Sequence, residues 1–391
     1  MRISPLAPAY VVAARRTALG RIGGLHRSRR LEDLAAPVIA AALADCGLPP
    51  ARVDEIVLGN TTQGGNPARI VALAAGLPDT VAATTIDRQE CSGLDAVVAA
   101  CRMIGAGEAD VVVAGGAESP STAPWRIAKP KSLYQLPQFL RLETAEPIEG
   151  EEPDALEAAE ETSRRLGIGR TQQDMWAMRS HVKAERSREA RAFVGEIVPL
   201  RANAEEARDQ SATDPTPDEL EKLTPFLRPD GTLTPGNTSA AHDGAAMVVV
   251  VSEAVWQELG QPKALRLVGS AVRGVGPDHE VSAPIEAMKT LYGRLNGFNP
   301  KDIGVVELSE VSAAQALAFS STLGLDDDIV NPDGGAVVRG RPFGAAGAVL
   351  VVRLFTRMVR QPAAGAPRVP NGVAVLGGSG GMGLAALFEA V

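Results

Sequence analysis

Among the three cysteines of this 391-residue sequence, Cys91 is placed where a thiol could act as a nucleophile. Apolar residues recur at helical spacing from Leu94 to Ile104, so the pattern predicts a helix that begins at Cys91. The first N–H groups of a helix lack intrahelical partners and carry partial positive charge. Such an environment lowers a thiol pKa and favours the nucleophilic thiolate. A lone cysteine is otherwise more often a packing residue, the role we predict for Cys101 and Cys46.

Of two glycine-rich segments near the end of the chain, the later could present backbone N–H groups to an anion, and the earlier could let backbone segments approach closely. They cover residues 340–347 and 377–383, and the second follows a predicted strand. The second does not fit a dinucleotide-binding fingerprint, because no further strand with an acidic residue follows it. Each segment by itself is also compatible with a simple tight turn.

The elements around these residues alternate between short buried strands and helices. Strands are predicted at 53–58, 109–114, 247–251, 304–308 and 373–376, which favours an α/β fold with parallel sheet character. Residues 53–60 resemble 303–310, so we expect two similar halves. The middle of the chain, 120–235, is more polar and is predicted to lie over both halves. Its run 143–161 holds nine acidic residues and no basic one, typical of a solvated face.

Composition excludes several classes of protein. Hydrophobic residues make up 45% and charged residues 22%, so the chain can bury a core and is not mainly disordered. The net charge of −8 argues against nucleic-acid or membrane-surface binding. Sparse cysteines and only four histidines argue against disulfides and structural zinc, and they predict a cytoplasmic protein. No apolar run approaches the ~20 residues of a transmembrane helix.

Taken in order, these segments resemble one family, the thiolases, which exchange acyl groups with coenzyme A. The resemblance covers nearly the whole chain. The matching stretches include Ala13-Ala14-Arg15-Arg16-Thr17, Gly59-Asn60, Asn66-Pro67-Ala68-Arg69, Cys91-Ser92-Gly93-Leu94, Gly115-Gly116-Ala117-Glu118-Ser119, Glu196-Ile197-Val198-Pro199, Gly236-Asn237-Thr238-Ser239 and Met382-Gly383.

The resemblance implies the thiolase fold, with two βαβαβαββ halves stacked in five α-β-α-β-α layers and a loop domain. The implied first half is 1–120 with 236–265, the loop domain on the coenzyme A side is 121–235, and the second half is 266–391. Cys91 would accept the acyl group. The backbone N–H groups of Cys91 and Ser379 would form the oxyanion hole, which requires no particular side chain. Ser239 would lie near the pantetheine arm of coenzyme A.

The sequence also departs from the family at its catalytic motifs. The usual Gly-His-Pro reads Gly340-Arg341-Pro342, and the usual Asn-Glu-Ala-Phe reads Ser309-Glu310-Val311-Ser312. The usual second cysteine is Gly377, and the usual His-Met pair of the loop domain reads Pro153-Asp154-Ala155. Three of the four usual catalytic side chains are therefore replaced.

These replacements have chemical consequences. Gly377 cannot move the proton next to the thioester carbonyl, as a second cysteine would. Arg341 stays protonated and cannot act as a base, but it could support the Cys91 thiolate and donate to an oxyanion. Ordinary Claisen condensation and thiolytic cleavage are therefore expected to be impaired. Acylation of Cys91 needs fewer catalytic groups: a thiolate, a backbone oxyanion hole and a groove for pantetheine. His242 could serve as a substitute base, although a satisfied structural role is the stronger expectation.

We therefore predict an acyl-CoA-dependent acyltransferase with an acyl-cysteine intermediate. The candidate catalytic residues are Cys91, Arg341 and Ser379. The candidate substrate-binding residues are Ser239, Ser309, Lys222, Arg228 and His242, with the two basic residues expected at the nucleotide end. We expect no covalently bound cofactor and no metal. The family suggests a homodimer or a dimer of dimers.

Two alternatives stay open at this point. A non-catalytic thiolase-like subunit that supports a partner enzyme would explain the lost side chains. An acyl-CoA thioesterase would pass the acyl group to water.

Overall fold

The computed structural model describes residues 7–139, 155–201, 205–211, 216–295, 298–360 and 369–391. The strands β1 to β12 are Ala9–Arg16, Gly20–Arg21, Glu55–Gly59, Ala82–Ile86, Val111–Glu118, Ile127–Ala128, Gln138–Phe139, His242–Ser252, Leu265–Gly274, Val305–Ser309, Asn371–Gly378 and Met382–Ala390. The helices α1 to α11 are Leu31–Cys46, Pro67–Ala74, Ser92–Ala106, Ala155–Leu166, Arg170–Glu189, Pro217–Lys222, Glu253–Glu258, Ala283–Arg294, Ala313–Leu323, Ala336–Arg339 and Ala346–Phe355.

The strands repeat one arrangement twice. Their order is β4-β3-β5-β8-β1 in the first half, continued by β9-β12-β11-β10 in the second. β3 is parallel to β5 and β8 is antiparallel to it, just as β10 is parallel to β11 and β12 is antiparallel to it. The halves join where Tyr10 and Val11 of β1 pair with β9. The predicted pair of similar halves is confirmed.

Apolar packing builds the layers between and around these strands. α3 and α11 contact each other and share one core with inward-facing residues of both halves, among them Leu94, Val112, Val351 and Leu376. α1 and α2 cover the outer face of the first half, and α8 and α9 cover that of the second. The predicted five-layered α/β architecture follows from this packing.

The segment between β5 and β8 lies against both halves. α4 and α5 contact α9, and α5 also contacts α10. On the other side, the backbone of Arg16 pairs with Glu196 and Val198. The predicted domain boundaries stay a prediction. Most of the acidic run 143–161, together with Pro153 and Asp154, lies outside the described residues.

No helix in the described ranges is both long enough and apolar enough to cross a membrane.

Candidate active site

The candidate site lies where α3 begins, beside the carboxyl ends of β10 and β11. The ends of parallel strands meet at one edge of a sheet, where loops can carry functional groups. The turn after β11 contributes Ser379, and the 340–347 segment contributes Arg341. Gly93 makes this approach feasible, because a β-carbon there would lie 2.6 Å from the carbonyl oxygen of Gly344. Chain segments far apart in sequence therefore meet at the first turn of α3.

The thiol of Cys91 is enclosed in the core between the two halves. Cys91 is 0% exposed and belongs to the same apolar cluster as Leu94 and Leu376. Burial, followed by the nearby Glu90 carboxylate, raises the pKa of Cys91 far above that of an ordinary thiol. A position at the start of a helix therefore does not give this thiol the low pKa that the sequence predicted.

The side chain at the centre of the site belongs to Glu90, a residue that our sequence reasoning missed. Its Oε1 accepts hydrogen bonds from Arg341 Nη1 at 2.6 Å and Ser379 Oγ at 3.1 Å. Its Oε2 accepts from the backbone N–H of Ser379 at 2.8 Å. Glu90 is 2% exposed, so these donors replace the water that a carboxylate would otherwise bind. The signal in the sequence was Arg341 itself, since a buried cation implies a buried anion.

Arg341 is held rigidly on the opposite side of the site. Its backbone N–H donates to Ala240 and its carbonyl accepts from His242, at 2.9 and 3.1 Å. Its guanidinium carbon lies 5.5 Å from the ring centre of Phe343. The structure thus brings Arg341 to the carboxylate of Glu90. The predicted support of a Cys91 thiolate by Arg341 stays a prediction.

Both N–H groups predicted to form the oxyanion hole have acceptors in this structure. That of Ser379 donates to Glu90, and that of Cys91 donates to the carbonyl of Arg88 at 3.1 Å. A substrate oxygen could bind Ser379 only after the carboxylate shifts. Glu90 therefore occupies the Ser379 donor that was predicted for a substrate oxygen.

Glu118 fixes the loop that carries Arg341. Its carboxylate accepts from the backbone N–H of Gly344 at 2.9 Å and from Asn60 Nδ2 at 2.8 Å. Burial raises the pKa of Glu118 above its ordinary value, and the hydrogen bonds it accepts act in the opposite direction. This carboxylate ties the end of β5 to the 340–347 segment, and with it the position of the guanidinium.

A cavity of about 430 Å³ adjoins this loop. Its wall includes Ser239, Ala240 and the half-exposed ring of Phe226. Ala240 also accepts the Arg341 backbone N–H, so the cavity lies directly next to the segment that holds the guanidinium. The hydroxyl of Ser239 donates to the carbonyl of Val311 at 3.1 Å.

The remaining predicted binding residues lie at different depths. Lys222 and Arg228, which precede and follow Phe226 in the sequence, are both exposed. Arg228 Nε lies 3.8 Å from Asp230 Oδ1. Ser309 is buried at the end of β10. The first two remain compatible with a nucleotide contact at the surface, and Ser309 belongs to the interior.

His242 is engaged with backbone groups. Its Nδ1 lies 3.0 Å from the carbonyl oxygen of Ala240, and its Nε2 lies 2.8 Å from that of Gln210. The ring packs directly on Gly340, which has a φ of +87°. His242 thus positions the loop of Arg341, and neither ring nitrogen is directed at Glu90 or Cys91.

Across the described part of the chain, no group of three or more His, Cys, Asp or Glu side chains is arranged to hold a metal ion.

Comparison with known proteins identifies the architecture. The model of the thiolase N-terminal domain matches residues 9–254, and that of the C-terminal domain matches residues 261–390. The chain belongs to the thiolase family. This result confirms the resemblance found in the sequence.

Thiolase relatives match along almost the whole chain. Two carry the name "Putative acetyl-CoA C-acetyltransferase": VraB of Staphylococcus epidermidis RP62A and YhfS of Bacillus subtilis 168. Both are 37% identical to this chain, and each match covers 97% of it. The match covers 97% of the length of VraB and 99% of the length of YhfS.

Solved thiolase structures confirm the fold. The acetyl-CoA acetyltransferase of Bacillus anthracis is similar with a TM-score of 0.90 and 33% identity, covering 100% of both chains. Human mitochondrial 3-ketoacyl-CoA thiolase gives a TM-score of 0.87 at 29% identity, covering 99% of this chain and 100% of its own.

Proposed function

We propose that this thiolase-family protein is an acyltransferase that takes its acyl group from an acyl-CoA. The observation that carries the proposal is the cavity beside Ser239, which adjoins the segment that holds the backbone of Arg341. Coenzyme A thioesters would enter as substrate, with the pantetheine arm along Ser239 and the thioester towards α3. The names of the relatives support this substrate class.

The same geometry supports impaired Claisen and thiolytic chemistry. Both reactions need a base for the carbon next to the thioester carbonyl, and Gly377 offers none. A β-carbon at Gly377 would lie 3.2 Å from Pro284 and 3.3 Å from Gln315, so the position is closely surrounded by α8 and α9. Arg341 carries a permanent charge and cannot accept the proton. Transfer to an acceptor that needs no carbanion is therefore favoured.

The acyl-cysteine form of the intermediate stays a prediction. It requires Cys91 to lose its proton in an enclosed apolar site, next to the negative charge of Glu90, and both conditions disfavour the thiolate.

Release of free coenzyme A from a series of acyl-CoAs tests the proposal. We expect release with at least one chain length. Thiolysis of 3-ketoacyl-CoA should be slower by about 10²–10³ or more than with a thiolase that keeps the usual histidine and second cysteine, since losing even one oxyanion-hole donor costs that much. A Ser239→Trp variant fills the cavity and should raise KM, and its Tm, measured alongside, distinguishes a blocked cavity from lost folding. An exposed substitution, Arg164→Met, is the matched control.

Two other results would redirect the interpretation. Release of coenzyme A and free acid without any acceptor would identify a thioesterase. Absence of release from folded protein with every donor would refute the proposal and favour a non-catalytic subunit.

A further inference from the structure

A second cavity, of about 760 Å³, lies apart from the candidate active site. Its wall is formed by α5, by residues of the 191–199 and 207–211 segments, and by the end of α10. It shares no described lining residue with the cavity beside Ser239. Its volume falls within the range of about 300–1,000 Å³ that is usual for small-molecule sites. The cavity is therefore large enough to hold a ligand of its own.

Positive charge in the wall of this cavity exceeds the negative charge that could balance it. Arg191 and Arg208 are exposed, and neither guanidinium has a hydrogen bond or ion pair with a described residue. The carboxylates in the wall already have partners. Asp209 accepts from Nη1 and Nη2 of Arg16 at 2.5 and 2.9 Å, and Glu185 pairs with an arginine of its own helix. The two exposed guanidinium groups are therefore available to an anion.

Arg339, the last residue of α10, adds a buried cation to the same wall. It is 6% exposed and lines the cavity. Its Nη2 lies 3.6 Å from Glu307 Oε2, which is too far for a hydrogen bond. Its Nη1 has no hydrogen-bond acceptor among the described residues. A guanidinium stays protonated, and burying one with too few acceptors is costly, so an anion in the cavity would stabilise it.

Apolar side chains provide another part of the wall. Met178 and Val182 of α5 line the cavity together with Phe193, Val194 and Val338. Val182 and Val194 are 43% and 50% exposed, so a ligand with an apolar body would remove their surface from water. Small-molecule sites commonly combine apolar walls with a few charged groups that fix the orientation of the ligand. The combination found in this cavity favours an anion that carries an apolar chain or ring.

We propose that this cavity binds an amphipathic anion, with a carboxylate or phosphate head group paired to Arg339 and an apolar body against Val182 and Val338. Arg208 adds positive charge at the exposed side of the site. The inference goes beyond the proposed function, because it assigns a ligand to a second site. α10 ends at Arg339 and Arg341 follows two residues later, so the ligand binds beside the segment that reaches Glu90.

Titration calorimetry with matched probes tests the proposal. Decanoate and decyl phosphate carry the two head groups, decanol carries the chain alone, and inorganic phosphate is a head group alone. Wild-type protein is compared with Arg208→Glu and with a double variant, Arg339→Met with Glu307→Gln, which removes both buried charges. Glu307→Gln alone and Arg165→Glu, a charge reversal at an exposed arginine outside this wall, are the matched controls. Ser239→Trp fills the other cavity.

We expect wild type to bind decanoate or decyl phosphate at least about tenfold more tightly than decanol or inorganic phosphate. The tighter of the two identifies the head group. Each methylene added between hexanoate and decanoate should tighten binding by up to about fourfold. The double variant and Arg208→Glu should each weaken binding by about tenfold or more, whereas both controls and folded Ser239→Trp should stay within about twofold of wild type.

Three results would overturn the inference. Binding that is lost in Ser239→Trp but kept in the variants of Arg339 and Arg208 would place the probe in the other cavity. Equal affinity for decanol and decanoate would show that the arginines take no part. Absence of binding by folded wild type would leave the cavity without the proposed ligand. Arg208 is exposed, so Arg208→Glu keeps the test valid if the buried variant does not fold. No acyl-CoA is present, so the proposed acyltransferase activity is tested separately.

Discussion

The buried pair of Glu90 and Arg341 should contribute measurably to stability. Replacing Arg341 by methionine keeps most of its length but leaves the carboxylate of Glu90 without a charged partner. Breaking a buried ion pair from one side costs about 3–5 kcal/mol. The two side chains are 3% and 11% exposed, so we expect about 3 kcal/mol, the lower end of that range.

This free energy converts into a shift of the melting temperature. At about 2.1 cal/mol/K per residue, the unfolding entropy of 391 residues is about 0.8 kcal/mol/K. For cooperative unfolding, Arg341→Met should therefore lower Tm by about 4 °C. The exposed pair of Arg164 and Glu161 provides the control, and Arg164→Met should change Tm by less than about 1 °C.

A double-mutant cycle followed by calorimetry gives the sharper test. Glu90→Gln removes the charge that Arg341→Met leaves unpaired, so the double variant should be more stable than the sum of the single effects by about 1–3 kcal/mol. Additive effects, or a change in Tm below about 1 °C for Arg341→Met, would refute the idea that this pair organises the site.

Three further predictions follow from burial and backbone geometry. In native protein, iodoacetamide should modify Cys46 well before Cys91, because the Cys91 thiol is buried. Cys91 should react more than about 100-fold more slowly than a free cysteine, and equal rates for Cys46 and Cys91 would contradict its burial. Burial raises the pKa of Glu307 to about 7, so the folded chain holds a proton that the unfolded chain loses near pH 4.3. Stability should fall as pH rises through that window, and Glu307→Gln should flatten the curve of Tm against pH, whereas parallel curves would exclude this cause. Gly340→Ala should lower stability by about 3 kcal/mol or more, because its φ is +87° and a β-carbon would lie within 2.0–2.2 Å of the His242 ring; unchanged Tm would contradict this packing.

Helical and strand periodicity made much of the fold predictable from the sequence. The apolar stripe from Leu94 to Ile104 marked α3, and the short buried runs marked β3, β5, β8, β10 and β11. The similarity of 53–60 and 303–310 indicated the repeat, since β3 and β10 occupy equivalent places in the two halves.

Periodicity could not predict which side chains point into the candidate site. Successive residues at the start of a helix point about 100° apart, so a thiol at 91 and a carboxylate at 90 face different surroundings. Which of them meets Ser379 depends on the turn that precedes α3, where Gln89 has a φ of +50°. Glu90 reaches partners 251 and 289 residues away, and local periodicity holds no information about such contacts.

Rapid mixing with a reactive acyl-CoA, followed by acid quench and quantification of free coenzyme A, tests the central claim most directly. If the chain carries the acyl group before passing it on, the first turnover should release a burst approaching one coenzyme A per chain. Slower release set by the acceptor should follow. Absence of any release above the uncatalysed rate, from folded protein with every donor, would contradict the account.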